Sequence, residues 1–250
     1  MRLKIFAAVA ASSLSLCCLS GTASAAARHP DLSGYWSTNT PPSIEDPALK
    51  AKLSPNAVIL HDTGAPELQP GDFGGLKLKP EVAAAAAKWD PRSDFTLDKA
   101  CLAPSIIYAM QGPFPLEIFQ DEHLIVIKLE YFEMTRIVHM DGKHPPADAP
   151  HTKTGHSTGR WEGDTLVVDT THLSGATITN NGLYHSDNVH VIERFKLSPD
   201  GKKLISSQEF EDPETIDNRG ARFIAWQKQD GQYLNAYECD PTFALNYGAK

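Results

Sequence analysis

From Leu116 onward, apolar and polar positions alternate in short runs separated by turn residues, the two-residue period of half-buried β-strands. In residues 124–132, Ile125, Ile127, Leu129 and Tyr131 fall on one face, with Lys128 and Glu130 on the other. In residues 189–197, Val189, Val191, Phe195 and Leu197 share a face with Glu193, opposite His190, Ile192, Arg194 and Lys196. The same reading predicts strands at 116–120, 134–140, 159–162, 165–171, 203–210, 222–228 and 232–238. Turn signals such as Asp141-Gly142, Gly163-Asp164, Pro199-Asp200-Gly201 and Asp230-Gly231 punctuate them. No helical period intervenes, so the pattern predicts a mainly β fold, an antiparallel meander closed as a barrel or folded as a sandwich. Closure removes exposed strand edges, which favours the barrel.

The preceding stretch reads differently. Residues 26–115 are punctuated by proline and form an arm expected to wrap on the barrel body of residues 116–250, within one structural domain. The arm carries two helical patterns, at 46–53 and 79–89, the second opened by Pro80-Glu81 ahead of five alanines. One early strand is predicted at 32–37. Residues 1–25 combine a basic start (Arg2, Lys4), a short apolar run and Ala23-Ser24-Ala25, the three parts of a secretory signal. Cys17 and Cys18 raise a lipoprotein alternative, but Leu14-Ser15-Leu16 lacks the small residue that should precede a lipid-bearing cysteine. The localisation expected is periplasmic or secreted, after cleavage near Ala25.

Cleavage there removes Arg2 and Lys4 and moves the net charge from −8 to about −10. Such a surface repels phosphate backbones, which argues against nucleic acid as a partner. No second apolar run reaches the roughly 20 residues of a membrane span. Cys101 and Cys239 are the cysteines left, and in an oxidising compartment they most simply pair, closing a loop of roughly 139 residues. A free reactive thiol or a metal thiolate is the alternative.

Several residues bear chemistry. Gly155-His156-Ser157-Thr158-Gly159 fits the G-x-S-x-G pattern of a hydrolase elbow with Ser157 as nucleophile, yet Arg160-Trp161-Glu162 runs on as strand where an elbow needs a helix. The alternative is that the glycines merely bend the chain into a strand. Seven of the ten histidines lie between His139 and His190, among them His144, His151 and His172. Imidazoles serve as general bases or metal ligands, but no H-x-H or H-E-x-x-H spacing fixes two on one face. No metal is expected; if one binds, His156, His185 and His190 are the candidate ligands. Glu193, a carboxylate in an inward row, is either an acid or base of raised pKa or half of a structural salt bridge with Arg136 or Arg160. The parity of Asp169 is ambiguous. Tyr108, Tyr131, Tyr184 and Trp161 offer cavity-lining rings, although Trp36 and Trp161 serve equally as core plugs. The connection 141–155, with His144, is long enough to border a barrel mouth.

Asp31-Leu32-Ser33-Gly34-Tyr35-Trp36, Cys101-Leu102-Ala103-Pro104, the fifteen residues Gly155-His156-Ser157-Thr158-Gly159-Arg160-Trp161-Glu162-Gly163-Asp164-Thr165-Leu166-Val167-Val168-Asp169, His185-Ser186-Asp187, His190-Val191-Ile192-Glu193-Arg194-Phe195 and Tyr237-Glu238-Cys239 together resemble a large family of exported bacterial proteins. Most of its members have no assigned activity, and their general appearance is similar to lipocalin-like (calycin) barrels. That resemblance implies an interior holding a small, largely apolar molecule, aromatic or terpenoid, carried intact or processed by lyase, hydratase or isomerase chemistry without an organic cofactor. On the catalytic version His156 or Glu193 is the base, His185 the acid partner, and Arg136 or Arg160 stabilises developing negative charge.

Overall fold

The computed structural model describes residues 29–38, 44–62 and 67–248. The signal segment expected at residues 1–25 lies outside them. In chain order the elements are β1 (Gly34–Ser37), α1 (Pro47–Lys50), β2 (Ala57–Ile59), α2 (Pro80–Ala86), α3 (Ile106–Ala109), β3 (Leu116–Gln120), β4 (Leu124–Leu129), β5 (Thr135–His139), β6 (His156–Glu162), β7 (Thr165–Thr171), β8 (Ala176–Thr179), β9 (Leu183–His185), β10 (His190–Leu197), β11 (Lys203–Glu211), β12 (Arg219–Lys228) and α4 (Leu245–Gly248).

Among the described residues, nine strands close in the order β1-β3-β4-β5-β6-β7-β10-β11-β12, with β12 pairing back onto β1. The predicted barrel is therefore present, with two departures from a plain antiparallel meander. First, β5 and β6 run parallel, Val138 opposite Ser157. Parallel neighbours need a connection of a dozen or more residues to carry the chain back, and the 140–155 connection does this. Second, the predicted strand at 232–238 does not form. Gly231 makes its turn with φ 73°, but both edges of β12 are taken, one by β11 and the other shared by β1 and β2. A hairpin partner has nowhere to bond.

The arm does more than wrap. It supplies β1 to the barrel and β2 to the outside edge of β12. Its first helix is shorter than predicted, opened by the Asp46 carboxylate, which accepts from the Ala48 and Leu49 amides. The second stops at Ala86, ahead of Pro91, which forces Asp90 into extended backbone. Leu49 packs on Ile205 and Phe223 on the outer barrel wall, with Ile44, Leu53 and Ile59 around them. This explains why β11 and β12 are buried on both faces.

Inside, alternate residues of each strand converge as the pattern predicts. Trp36, Ile118, Ile125, Ile127, Leu166, Val168, Phe195, Leu204 and Trp226 form the apolar layers. α3 closes the end where β7 leaves and β10 enters. Ile106 and Ile107 are fully buried, and their carbonyls accept from Gln208 and Arg222.

Candidate functional site

The lumen carries a polar layer as well as a greasy one. Inward alternation places Arg136, Ser157, Thr170, Glu193 and Gln208 side by side, all fully buried. Arg136 is ion-paired with Glu193. It also donates Nε–H to Ser157 Oγ at 3.0 Å and Nη2–H to Thr170 Oγ1 at 2.8 Å, while Gln208 Nε2 donates to Glu193 at 3.2 Å. A second buried arginine, Arg222, makes a two-pronged pair with Asp62 at 2.9 and 2.6 Å. Of the two readings of Glu193, the geometry supplies the structural salt bridge, and its partner is Arg136. Arg160 instead lies exposed on the outside, 2.8 Å from Glu162.

Ser157 sits in strand, its hydroxyl shared between Arg136 and Thr170 at 2.9 Å. No strained strand-to-helix turn presents it, so the elbow is not formed. The flanking glycines have packing roles. Gly155 adopts φ +62°, and a Cβ there would lie 2.5 Å from the Thr171 carbonyl oxygen; at Gly159 it would meet Met140 Sδ at 2.4 Å. Only hydrogen fits at either position.

His139, His144 and His172 lie within electrostatic reach of His156 outside β5–β7, while His185 sits elsewhere. His156 projects from the outer face of β6 and stacks on His139 with centroids 4.7 Å apart. Its Nε2 is buried with no hydrogen-bond partner among the described residues, and burial lowers its pKa. His144 is exposed on the 141–155 connection. His190, also outward, lies 3.0 Å from Asp169 and 3.4 Å from Glu211, and the bond to Asp169 raises its pKa. Asp169 thus faces outward. Among the described residues no three His, Cys, Asp or Glu side chains are grouped to hold a metal ion, so His156, His185 and His190 do not form the trio considered above.

His185 is different. It is buried, donating Nδ1–H to the Ser186 carbonyl at 2.8 Å, which leaves Nε2 to accept from Ser105 Oγ at 2.7 Å. Desolvation lowers its pKa below the ordinary 6.5. The folded state then resists a proton that the unfolded chain accepts, so stability falls as pH drops below about 6.5. His156 acts in the same direction and His190 in the opposite one. The fall in thermal midpoint between about pH 7.5 and about pH 5.5 is expected to be smaller in His185→Gln than in the wild type, and larger in His190→Gln. Parallel midpoint-versus-pH curves for all three proteins would contradict this assignment.

A cleft of about 460 Å³ opens between the arm and the connections at the α3 end of the barrel, with no barrel-strand residue in its lining. One wall is the arm from Asp94 to Pro104; another is the β8–β9 hairpin; Tyr108, Tyr131 and Phe132 project between them. Three of the predicted ligand-facing residues, Tyr108, Tyr131 and Tyr184, meet here. Trp161 does not: it stacks on His29 at 4.8 Å as a plug, and His144 is not part of the lining either. Tyr184 donates to Asp94 at 2.6 Å, and the same carboxylate oxygen accepts from Trp89 Nε1 at 2.6 Å. Tyr108 donates to Glu67. Burial, followed for Tyr108 by Glu67 and for Tyr184 by Asp94, holds all three phenols protonated well above their usual range.

Phe132 carries φ 53°, a left-handed backbone that a bulky residue adopts only at a cost. Tyr131 stacks on Phe114 at 4.6 Å and meets Tyr237 edge-on at 5.4 Å, which holds that turn in place. Cys101, flanked by the lining residues Ala100 and Leu102, is bonded to Cys239 (S–S 2.04 Å, Cα–Cα 5.9 Å). His185 lies just behind the lining, opposite Ala176 in the hairpin. Phe132, Lys153, Asp94 and Ser105 were not singled out by sequence. The β8–β9 hairpin spans only ten residues, joined through Asn180, Asn181 and Gly182, and it carries no clean alternation to mark it.

Fold and site together define a closed, mixed nine-stranded β-barrel with an aromatic cleft of small-molecule size. No protein-family model matches the chain, and no curated protein matches it.

Proposed function

We propose that this is an exported protein that binds a small, largely apolar aromatic molecule in the cleft at the α3 end of the barrel. The observation carrying the proposal is the convergence of Tyr108, Tyr131, Phe132 and Tyr184 on one recess of about 460 Å³, a volume typical of ligand sites. The lumen, the location the lipocalin likeness favours, is a poor alternative, because α3 and the Arg136–Glu193 layer occupy it. Export is supported by the N-terminal pattern and by the disulfide. No described helix is long and apolar enough to cross a membrane.

The test is direct. Protein purified from its host is examined by mass spectrometry for a stoichiometric aromatic passenger, whose affinity is then measured against variants. Tyr184 is partly exposed, so Tyr184→Ala leaves the core intact; it is expected to weaken binding roughly tenfold, the worth of one well-placed ring contact. Unchanged affinity in Tyr184→Ala would move the ligand elsewhere.

A second reading, an acid/base enzyme of lyase, hydratase or isomerase type, is favoured by one observation. The neutral imidazole of His185 lies behind the cleft lining with its tautomer fixed by Ser186. The wider set first considered (His156, Glu193, Arg136 and Arg160) lies in other places. On this reading, incubation with the passenger yields product and His185→Gln abolishes turnover; on the carrier reading the passenger is recovered intact.

A further inference from the structure

We infer that the cleft's ligand is an aromatic carboxylate whose anionic end is received by Lys153; this rests on the cleft reading above. The charge of the cleft runs against that of the molecule. The chain as a whole carries −8, yet the lining contains two ammonium groups, Lys99 and Lys153, and one carboxylate, Asp94. Asp94 is engaged by the Tyr184 hydroxyl and the Trp89 indole. The carboxylate whose field reaches Lys153 is Asp187, and it accepts the Gly175 amide at 2.5 Å. Both acids are thus held in bonds of their own.

Lys153 is positioned for the role. Its Nζ donates to the Gly175 carbonyl at 2.6 Å, which anchors the ammonium on the cleft wall. An ammonium has three donors, so an incoming anion meets further N–H groups at a fixed point. The backbone is tied at two points, since the Lys153 carbonyl accepts from the Ile106 amide at the start of α3 and the Thr152 amide donates to the His172 carbonyl. Burial penalises the charged amine and lowers its pKa. A bound carboxylate compensates for that penalty with a charge-assisted hydrogen bond in a partly dry site. The rest of the lining fixes the other end of the ligand. Tyr108, Tyr131 and Phe132 bring aromatic rings to the cleft, and the Tyr108 hydroxyl is already committed to Glu67. An arene with a carboxylate at one end satisfies both halves.

The experiment titrates the mature protein with cinnamate and 2-naphthoate and with their methyl esters, by calorimetry. The wild type is expected to bind each acid at least about tenfold tighter than its ester, the size of one hydrogen bond to a charged group. Lys153→Met, which keeps the packing stem, should erase that preference. Added salt should narrow the preference. If acid and ester bind the wild type equally, the carboxylate assignment is overturned and the aromatic cleft stands. If the preference survives Lys153→Met and disappears in Lys99→Met, the assignment to Lys153 is overturned. If neither acid nor ester binds, the cleft reading itself has failed.

Discussion

Glu193→Ala is expected to lower stability by about 3–5 kcal/mol, because it leaves the Arg136 guanidinium buried with no counter-charge. For a chain of this length that corresponds to a thermal midpoint roughly 10 °C lower. The argument turns on what remains. Ser157 and Thr170 still accept from Arg136, but hydroxyls do not neutralise a cation. The double variant Arg136→Met/Glu193→Leu should recover most of the loss. Buried ion pairs rarely outperform well-packed apolar replacements of similar volume. Here Ser157 and Thr170 keep each other at 2.9 Å, and Gln208 keeps the Ile106 carbonyl at 3.3 Å. Denaturant unfolding of the two variants beside the wild type decides the matter. A single substitution costing less than about 1 kcal/mol would mean that the pair is solvated. A folded Glu193 variant is further expected to keep its cleft ligand, which separates a structural carboxylate from a catalytic one.

That pair also marks how far the sequence was legible. Strict alternation in 124–129 and 189–197 was enough to set the inward faces and to isolate Glu193 as a charge among apolar neighbours, because side-chain direction in a strand follows from parity alone. The pattern offers Arg136 or Arg160 as its partner, and parity on neighbouring strands separates these two: Arg136 faces in and Arg160 out. The strand expected at 232–238 failed for a reason no local pattern contains. Its turn is sound, but the edge it needed is occupied by β1, nearly two hundred residues earlier in the chain. The parallel β5–β6 pair was hidden in the same way, since a long connection says that the chain can return but not that it does.

The cleft was half legible. Aromatic residues with polar tips pointed to Tyr108, Tyr131 and Tyr184, yet the expectation placed them in a hollow barrel. Whether a lumen is empty depends on what fills it, and α3 is an arm segment, Ile106-Ile107-Tyr108-Ala109, whose burial only the tertiary fold reveals. Lys153 and Ser105 gave no signal, because an isolated lysine or serine in a loop has no periodicity to read. Their relevance comes from Gly175, His185 and the hairpin brought against them.

Removing the disulfide is expected to damage stability and binding together. Cys101 and Cys239 are 138 positions apart, and a loop of that size restricts the unfolded chain enough to contribute about 4–5 kcal/mol on the chain-entropy account. A Cys101→Ser/Cys239→Ser variant should therefore melt roughly 10 °C lower. The effect on the cleft follows from where the bond attaches. On one side it fixes Ala100 and Leu102 in the lining; on the other it holds the segment whose Tyr237 packs against Tyr131 and Phe132. That segment has no strand pairing of its own, because β12 offers no vacant edge, so the covalent link, those ring contacts and the bonds from Asn235 to Glu130 hold it. At a temperature where far-ultraviolet circular dichroism still reports an intact barrel, ligand affinity should have dropped at least about tenfold. The fold of the barrel and the shape of the cleft are then separable, the first set by strand closure and the second by a staple outside it. A variant that melts with the wild type and binds as tightly would show that the noncovalent contacts suffice.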